Sequence, residues 1–301
     1  MIESLKIYKS PYEKKRIGRN RDGGYVIAWD DQLKYDLFIS GGISNDISFE
    51  EDFINKYGKE CEFLAYDGSI EKLPKKNQKI KFFKKMITPI SDSKNTHLKD
   101  VIQNFSNIFL KMDIEGGEID WLNSLNDEEI SKFRQITIEF HWNVDFKVLE
   151  RINQTHVLIH FHVNNFSSIK TIQYEGFEQK LPSVFECTYL RKDDFQIMER
   201  SNDPIPNPLF DFPNNLKRPD IILCQEPYNN LSYPEPKTIH QKPIQRKPIQ
   251  RKLIQRKPIQ RKLIQKKLIQ LKPIQQKPKN KKHIQKKNRK FRVFNWMKKR
   301  F

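Results

Sequence analysis

The chain has 301 residues and a formal net charge of +19, which at first sight suggests a protein that binds nucleic acid or a membrane surface. The charge is unevenly distributed, because the residues from Lys237 onward contain 25 Lys and Arg and no Asp or Glu. Of the 56 basic residues, 31 therefore lie in the first 236 residues, together with all 37 acidic ones, for a net charge of −6. The composition excludes a uniformly basic protein and indicates an acidic body with a basic tail.

The first predicted elements are a hairpin, a buried strand and a helix. The turn sequence DGG at 22–24 lies between apolar residues and predicts the hairpin. The run Leu37–Ile39 reads as a short buried strand that ends in the glycine-containing sequence SGG at 40–42. Ser48, with Glu51 three residues later, predicts a capping box at the start of a helix that Gly58 ends.

The apolar runs that follow alternate between strand and helix patterns. The predicted strands are CEFLAYD, KIKFFKKMIT, NIFLKMD, RQITIEFHW, HVLIHFHVN and SVFECTYLRK, and the predicted helices are THLKDVIQNF, GEIDWLNSL and DFKVLERINQT. We expect an α/β fold with a mostly parallel central sheet, helices on both faces and, from the last two strands, an antiparallel edge. The domain would span 1–235, with its core at about 16–200 and a proline-rich segment at 201–235 that wraps over it.

The tail at 236–301 is a low-complexity repeat of the five-residue unit K-[PL]-I-Q-[RK]. A period of five fits neither helix nor strand, and recurrent proline and like charges oppose compaction, so we expect a disordered arm. Such an arm would bind a polyanion, either nucleic acid or an anionic membrane surface, by counterion release. Alternatively, the repeat is a tolerated solvated extension. The richness in Lys, Asn and Ile is similar to that of proteins of large DNA viruses.

The cysteines and the hydropathy indicate an intracellular, soluble protein, which would be in the host cytoplasm if the source is viral. Cys61, Cys187 and Cys224 have no metal-like spacing, and the first two lie in strand-like runs where buried free thiols are expected. The first ten residues lack the apolar region of a signal peptide, and no run approaches the roughly 18 apolar residues of a membrane span.

Three candidate site features follow predicted strands, at the sheet edge where doubly wound folds bind ligands. They are the Gly41-Gly42 step, Asp67, and the pair Asp113 and Glu115. Glycines let a backbone approach a ligand closely, and a carboxylate such as Asp67 can bind both hydroxyls of a ribose. Each feature also has a structural explanation as a turn or a helix cap, and the glycine spacing departs from the dinucleotide fingerprint GxGxxG.

The sequence FLKMDIEGGEIDWL at 109–122 resembles the LK-D-EG-E signature of FkbM-type S-adenosylmethionine-dependent methyltransferases. The stretch GGISNDISFEEDFINKYG, the upstream DGGYV and the later Pro213-Asn214 step are similar to segments of a related branch. This resemblance covers about Arg16 to Asp220 and implies a Rossmann-like class I methyltransferase fold. A third spaced glycine of the cofactor loop is missing.

The resemblance implies S-adenosylmethionine as the cofactor and assigns residues to its parts. Gly41 and Gly42 would hold the amino-acid part, and Asp67 the ribose. Gly68, Ser69 and Asp92 would lie near the adenine. Asp113 and Glu115 would line the methyl-transfer pocket, whereas Glu118 and Asp120 belong to the first turn of the next helix.

A hydroxyl acceptor needs a base, and the candidates are Glu139 and His141, which alternation places on the same strand face. His141 could instead be a structural residue next to Trp142. A divalent ion is conceivable beside these groups, but no metal site is predicted. His160 and His162 lack the partners of a zinc site. Asn164 and Asn165 follow the same strand and could contact substrate.

The expected function is therefore transfer of a methyl group from S-adenosylmethionine to an oxygen of a small or carbohydrate-like acceptor. The catalytic candidates are Asp113, Glu115, Glu139 and His141. The alternative is a catalytically weak methyltransferase-like scaffold whose basic tail binds nucleic acid or another polyanion. Methylation of nucleic acid is less favoured, because no DPPY-like or NPPY-like motif is present.

Overall fold

The structure is a computed structural model that describes residues 2–142, 145–174 and 176–229. The predictions about the basic tail fall outside the described residues. Within them, no helix combines the length and apolar character needed to cross a membrane.

Thirteen strands and five α-helices follow one another along the described chain. The strands are β1 (Lys14–Ile17), β2 (Tyr25–Ala28), β3 (Leu37–Gly41), β4 (Glu62–Tyr66), β5 (Ile80–Phe83), β6 (Met86–Ile87), β7 (Asn95–Thr96), β8 (Ile108–Met112), β9 (Phe133–His141), β10 (His156–Val163), β11 (Ile169–Tyr174), β12 (Phe177–Pro182) and β13 (Val184–Arg191). The helices are α1 (Ser48–Tyr57), α2 (Lys99–Ile102), α3 (Glu118–Ser124), α4 (Asp127–Ser131) and α5 (Phe146–Thr155).

Seven strands form the central sheet in the order β10-β13-β9-β8-β3-β4-β5. β3, β4, β5, β8 and β9 are parallel, and β13 is antiparallel to both of its neighbours. The predicted mostly parallel α/β sheet is thus confirmed, and so is the antiparallel pairing of the last two strands. The reversed strand β13 lies one position inside the edge, between β9 and β10.

Helices cover both faces of this sheet because its strands alternate their apolar side chains. On one face, Phe38 of β3 stacks on Phe53 of α1, with ring centroids 4.7 Å apart. On the other face, Leu37 belongs to the same buried cluster as Trp121 of α3 and Leu149 of α5. A strand with both faces covered is nearly continuously apolar, as the sequence of β3 is.

The strand order reverses at β3. The chain passes from β3 to β4 and β5 on one side and then returns to β8 and β9 on the other. Gly41 is in register with Tyr66 on one side and with Met112 on the other. The next residues of the three strands, Gly42, Asp67 and Asp113, are therefore brought to one edge, at the switch point where such sheets bind ligands.

Several local predictions need correction. The predicted capping box at Ser48 is wrong, because Ser48 is the first helical residue and Ile47 precedes the helix without a side-chain cap. A capping box occurs instead at Asn126 and Glu129, before α4. The predicted strand KIKFFKKMIT is divided into β5 and β6, and the predicted helix around residue 100 is limited to α2.

Other outcomes concern a hairpin and the cysteines. β1 and β2 form the hairpin predicted around residues 22–24. The hairpin of β11 and β12 was not predicted, since four of the six residues of β11 are exposed and give no buried-strand pattern. All three cysteines are free, but only Cys187 is buried, whereas Cys61 is half-buried.

The proline-rich segment is held to β10 and β13 by buried polar contacts. His160 Nε2 lies 2.8 Å from Asp211 Oδ1. His162 lies between two carboxylates, with Nδ1 3.1 Å from Glu186 Oε2 and Nε2 3.1 Å from Asp220 Oδ2. The two histidines that share one strand face therefore contact carboxylates of the fold.

Candidate active site

The glycine loop after β3 packs directly against the end of β8. Gly42 has a φ of +76°, and a Cβ atom there would lie 1.6 Å from the carbonyl oxygen of Asp113. Only glycine fits this conformation and this close approach. Gly41 lies beneath the loop, where an added Cβ would meet the side chain of Ile87. The Gly-Gly step thus holds two neighbouring strand ends together.

Asp67, after β4, fixes the same loop. Its Oδ2 accepts hydrogen bonds from the backbone N–H groups of Ile43 and Ser44, at 2.9 and 2.8 Å. Its Oδ1 accepts from the backbone N–H and the hydroxyl of Ser69, at 2.7 and 2.6 Å. Burial raises the pKa of Asp67, but these hydrogen bonds outweigh burial, so its pKa lies below the usual value. The carboxylate is ionised and its acceptor capacity of about four hydrogen bonds is used.

A cavity of about 430 Å³ opens between this loop and the end of β8. Of the predicted site residues, those that line it are Gly42, Asp67, Gly68, Ser69, Asp113 and Glu115. Gly41, Asp92, Glu139 and His141 do not line it. Asp92 lies in the exposed loop between β6 and β7, where its carboxylate accepts from the backbone N–H groups of Lys94 and Asn95.

Asp113 and Glu139 are connected through a tyrosine of β2. Tyr25 Oη lies 2.9 Å from Asp113 Oδ2 and 3.3 Å from Glu139 Oε2. Asn164, at the end of β10, donates a hydrogen bond of 2.8 Å to Glu139 Oε1. Burial, with the charge of Asp113 next in effect, raises the pKa of Glu139 well above its usual value. Burial likewise keeps the Tyr25 hydroxyl protonated by raising its pKa.

His141, the last residue of β9, lies among carboxylates. Its Nε2 is 3.6 Å from Glu115 Oε2, 3.7 Å from Glu139 Oε1 and 3.9 Å from Asp113 Oδ1. Glu139 and His141 thus share a strand face, as alternation requires. Within the described residues, Nε2 has no hydrogen-bond partner, since these separations exceed hydrogen-bond length.

The other ring nitrogen of His141 is held by Glu118. His141 Nδ1 lies 3.2 Å from Glu118 Oε1, and Glu118 is fully buried in the first turn of α3. The same oxygen accepts the backbone N–H groups of Ile114 and Gly116. Burial lowers the pKa of His141, but the hydrogen bond and the charge of Glu118 outweigh burial and raise it above the usual value. Glu118 was correctly predicted in the helix, but its contact with His141 was not predicted.

Asp113, Glu115 and His141 could together hold a cation. Each offers one ligand atom, and these atoms lie within 4.8 Å of one another. Oxygen and imidazole ligands of this kind suit several divalent ions. Glu115 is the exposed member of the group, with 80% of its side chain accessible.

Three residues at the site have backbone conformations that side chains disfavour. Ser44 and Glu115, which line the cavity, have φ values of +50° and +58°. Trp142, which follows His141, has a φ of +57° and is exposed. Backbone strain of this kind clusters at active sites and ligand-binding loops.

Sequence reasoning missed two buried charged residues of the cavity. Lys111 lies in β8 and Glu50 in the first turn of α1, and both are buried yet line the cavity. The signal for Lys111 was a lone charge inside the apolar run FLKM. Nothing in the sequence distinguished Glu50 as a site residue, because it is followed by two further acidic residues, Glu51 and Asp52.

The chain matches no curated protein. Among solved structures it is similar to a precorrin 8W decarboxylase from Methanobacterium thermoautotrophicum, at 9% identity and a TM-score of 0.29, over 52% of this chain and 82% of that one. It is also similar to a precorrin-6y C5,15-methyltransferase from Geobacter metallireducens, at 8% identity and a TM-score of 0.26, over 54% of this chain and 82% of that one.

The profile of the methyltransferase FkbM domain matches residues 19–178, which is more than half of the chain and includes the glycine loop, Asp67 and the sequence from Asp113 to His141. The chain therefore belongs to the FkbM methyltransferase family.

Proposed function

We propose that the protein is an S-adenosylmethionine-dependent O-methyltransferase whose acceptor is a small or carbohydrate-like hydroxyl compound. The observation that carries this proposal is one cavity with two different walls. The glycine loop and Asp67 form one wall, and Asp113 and Glu115, backed by His141, form the other.

The cavity fits the cofactor in size and chemistry. Its volume of about 430 Å³ lies within the roughly 300–1,000 Å³ typical of small-molecule sites. Tyr66, Met86 and Ile87 supply apolar surface for a nucleoside, and Glu50 and Lys111 supply charge for an amino acid. Among the described residues, the hydroxyl of Ser69 is the one side-chain donor to Asp67, so it is the partner that a ribose hydroxyl can replace. When bound, S-adenosylmethionine supplies an electrophilic methyl group on its sulfonium.

The acidic wall binds and activates the acceptor. Asp113 and Glu115 accept hydrogen bonds from hydroxyl groups of the acceptor, which favours polyhydroxylated compounds. His141 Nε2 would take the proton of the reacting hydroxyl while that oxygen accepts the methyl group and the sulfur–methyl bond breaks, which leaves S-adenosylhomocysteine. His141 and not Glu139 is the base, because both oxygens of Glu139 already contact Tyr25 or Asn164. Alignment of the hydroxyl by this wall supplies much of the rate.

Transfer of a radiolabelled methyl group from S-adenosylmethionine to a panel of monosaccharides, phenols and nucleosides tests this function. Labelled methyl ethers of a hydroxyl acceptor, sensitive to Asp113→Asn, are the expected result. Labelled amines or bases without any ether would contradict the acceptor class.

The basic tail is proposed to bind polyanions. The support is its sequence, which has 25 Lys and Arg and no acidic residue after Pro236. The full chain should bind heparin and elute at a high salt concentration. Replacement of the Lys and Arg of 242–267 by Gln should lower that salt concentration sharply. Equal retention of both proteins would contradict this role.

A further inference from the structure

Two opposite charges share the interior of the cavity. Lys111 Nζ lies 4.0 Å from Glu50 Oε1, and only 8% and 2% of their side chains are accessible. Both residues line the cavity. The separation exceeds a hydrogen bond, so the two groups face the cavity side by side without a direct bond.

Each charge is oriented by the strand end beside it. Lys111 Nζ donates a hydrogen bond of 2.5 Å to the carbonyl oxygen of Gly42, and Glu50 Oε1 accepts one of 2.6 Å from the hydroxyl of Ser40. Lys111 also lies 5.8 Å from the centre of the Tyr25 ring. Within the described residues, these contacts use one of the three ammonium donors and one oxygen of the carboxylate. Both groups therefore keep capacity for a ligand.

Burial of such charges is unfavourable unless further hydrogen bonds satisfy them. A ligand that places a carboxylate and an ammonium on one carbon atom satisfies both at once. An α-amino acid has this arrangement, and the two protein charges line the same cavity as Gly42, Asp67 and Ser69.

We infer that Glu50 and Lys111 form the subsite for the zwitterionic amino-acid end of the cofactor. Lys111 donates to the α-carboxylate, and Glu50 accepts from the α-ammonium. This inference rests on the proposed function, because it assumes that S-adenosylmethionine occupies the cavity. A purely structural role of the pair in holding the loop is the competing explanation.

Two ligands separate these explanations. S-adenosylhomocysteine carries the amino-acid end, whereas 5′-methylthioadenosine has the same nucleoside and sulfur without it. If the pair binds the zwitterion, Lys111→Met and Glu50→Gln each weaken binding of S-adenosylhomocysteine by about 10-fold or more. Their affinity for 5′-methylthioadenosine should change by no more than about 2-fold. A structural role predicts equal losses for both ligands.

The measurement is isothermal titration calorimetry of both ligands with the full chain. Lys85→Met is the matched control, because Lys85 lines the same cavity beside Met86 and donates to the carbonyl oxygen of Asp92. It should change both affinities in the same proportion. A variant that still binds 5′-methylthioadenosine is folded, so the comparison contains its own folding control. If Lys111→Met binds neither ligand, the ratio of the two affinities in Glu50→Gln decides between the subsite and the structural role.

The outcomes are distinct. Selective loss of S-adenosylhomocysteine in the two variants supports the subsite. An unchanged ratio of the two affinities overturns it while leaving the proposed function intact. A wild-type protein that binds neither ligand overturns the proposed function and the subsite together.

Discussion

The imidazole of His141 is held through its Nδ1 by Glu118, at 3.2 Å, so that its Nε2 faces the carboxylates of the cavity wall. Glu118 is itself fixed by two backbone N–H groups of the loop after β8. The loop, the helix α3 and the end of β9 are thereby joined at one carboxylate. The ring nitrogen that contacts Glu118 donates, which leaves Nε2 of the neutral ring free to accept a proton.

His141→Gln should lower kcat for methyl transfer by about 10²–10⁴-fold, because the base is removed. The dissociation constant for S-adenosylhomocysteine should stay unchanged, since His141 does not line the cavity. His97→Gln is the control, because its ring accepts a backbone N–H at the start of α2. A variant with full kcat would show that His141 is structural.

Glu118 should act as a positioning residue. Glu118→Gln keeps an acceptor oxygen for the loop but loses the charge, so kcat should fall while KM for the acceptor is maintained. Steady-state kinetics at saturating cofactor separates the two parameters. A rise in KM with unchanged kcat would instead indicate that Glu118 shapes the acceptor pocket.

Gly42→Ala should destabilise the fold by about 3 kcal/mol or more, because a methyl group meets a carbonyl oxygen at a positive φ. Gly176→Ala is the matched control. Its φ of +81° is similar, but nothing lies within 4 Å of the added Cβ, so the loss should be only about 1–2 kcal/mol. Urea unfolding of both variants gives the comparison, and equal losses would mean that the contact with Asp113 does not constrain the loop.

Stability should fall at alkaline pH because of His162. Burial lowers its pKa, but Glu186 and the hydrogen bond to Asp220 outweigh burial and raise the pKa well above 6.5. The folded state then binds a proton that the unfolded state releases. The stabilisation of the fold by protonated His162 is therefore complete below pH 6.5 and is lost as the pH rises through the raised pKa of the folded state. The free energy of unfolding should decrease by at most about 1.4 kcal/mol per pH unit across that window.

His162→Gln removes the titrating group and should flatten this decrease. Denaturant unfolding of both proteins from pH 6 to 10 tests the difference. Parallel pH profiles for wild type and variant would assign the alkaline loss to another group.

Chelation of divalent ions should leave methyl transfer unchanged, because the proposed reaction uses His141 as the base. The measurement is the transfer rate after dialysis against EDTA, with and without added Mg²⁺ or Mn²⁺. A rate that disappears and returns with one ion would make Asp113, Glu115 and His141 its ligands.

The sheet and the meeting of Gly42, Asp67 and Asp113 at one of its edges were predictable from sequence, whereas the hydrogen bonding of the candidate site was not. Apolar runs such as that of β8 reveal buried strands, and in parallel sheets the residues after such strands meet at one edge. For this reason Gly42, Asp67 and Asp113 were predicted together. Partners distant in sequence, such as Tyr25 for Asp113 and Glu118 for His141, depend on side-chain packing that no local pattern encodes.

The hydrogen bonds of Asp67 are an example of contacts that the sequence did not predict. A carboxylate after a strand predicts either a ligand contact or a cap, and only the geometry shows four hydrogen bonds from its own neighbourhood. The hairpin of β11 and β12 was missed for another reason. Its strands are stabilised by pairing with each other and bury few apolar residues, so the alternation that identifies strands is weak.

In the proposed reaction, the cavity between the glycine loop and Asp113 holds the cofactor. A crystal structure of the full chain with S-adenosylhomocysteine tests it most directly. We predict density for the nucleoside beside Asp67, Ser69 and Met86, with the sulfur directed toward Asp113. Nucleoside density at any other place on the protein, or a cavity left without density at saturating ligand, would contradict it.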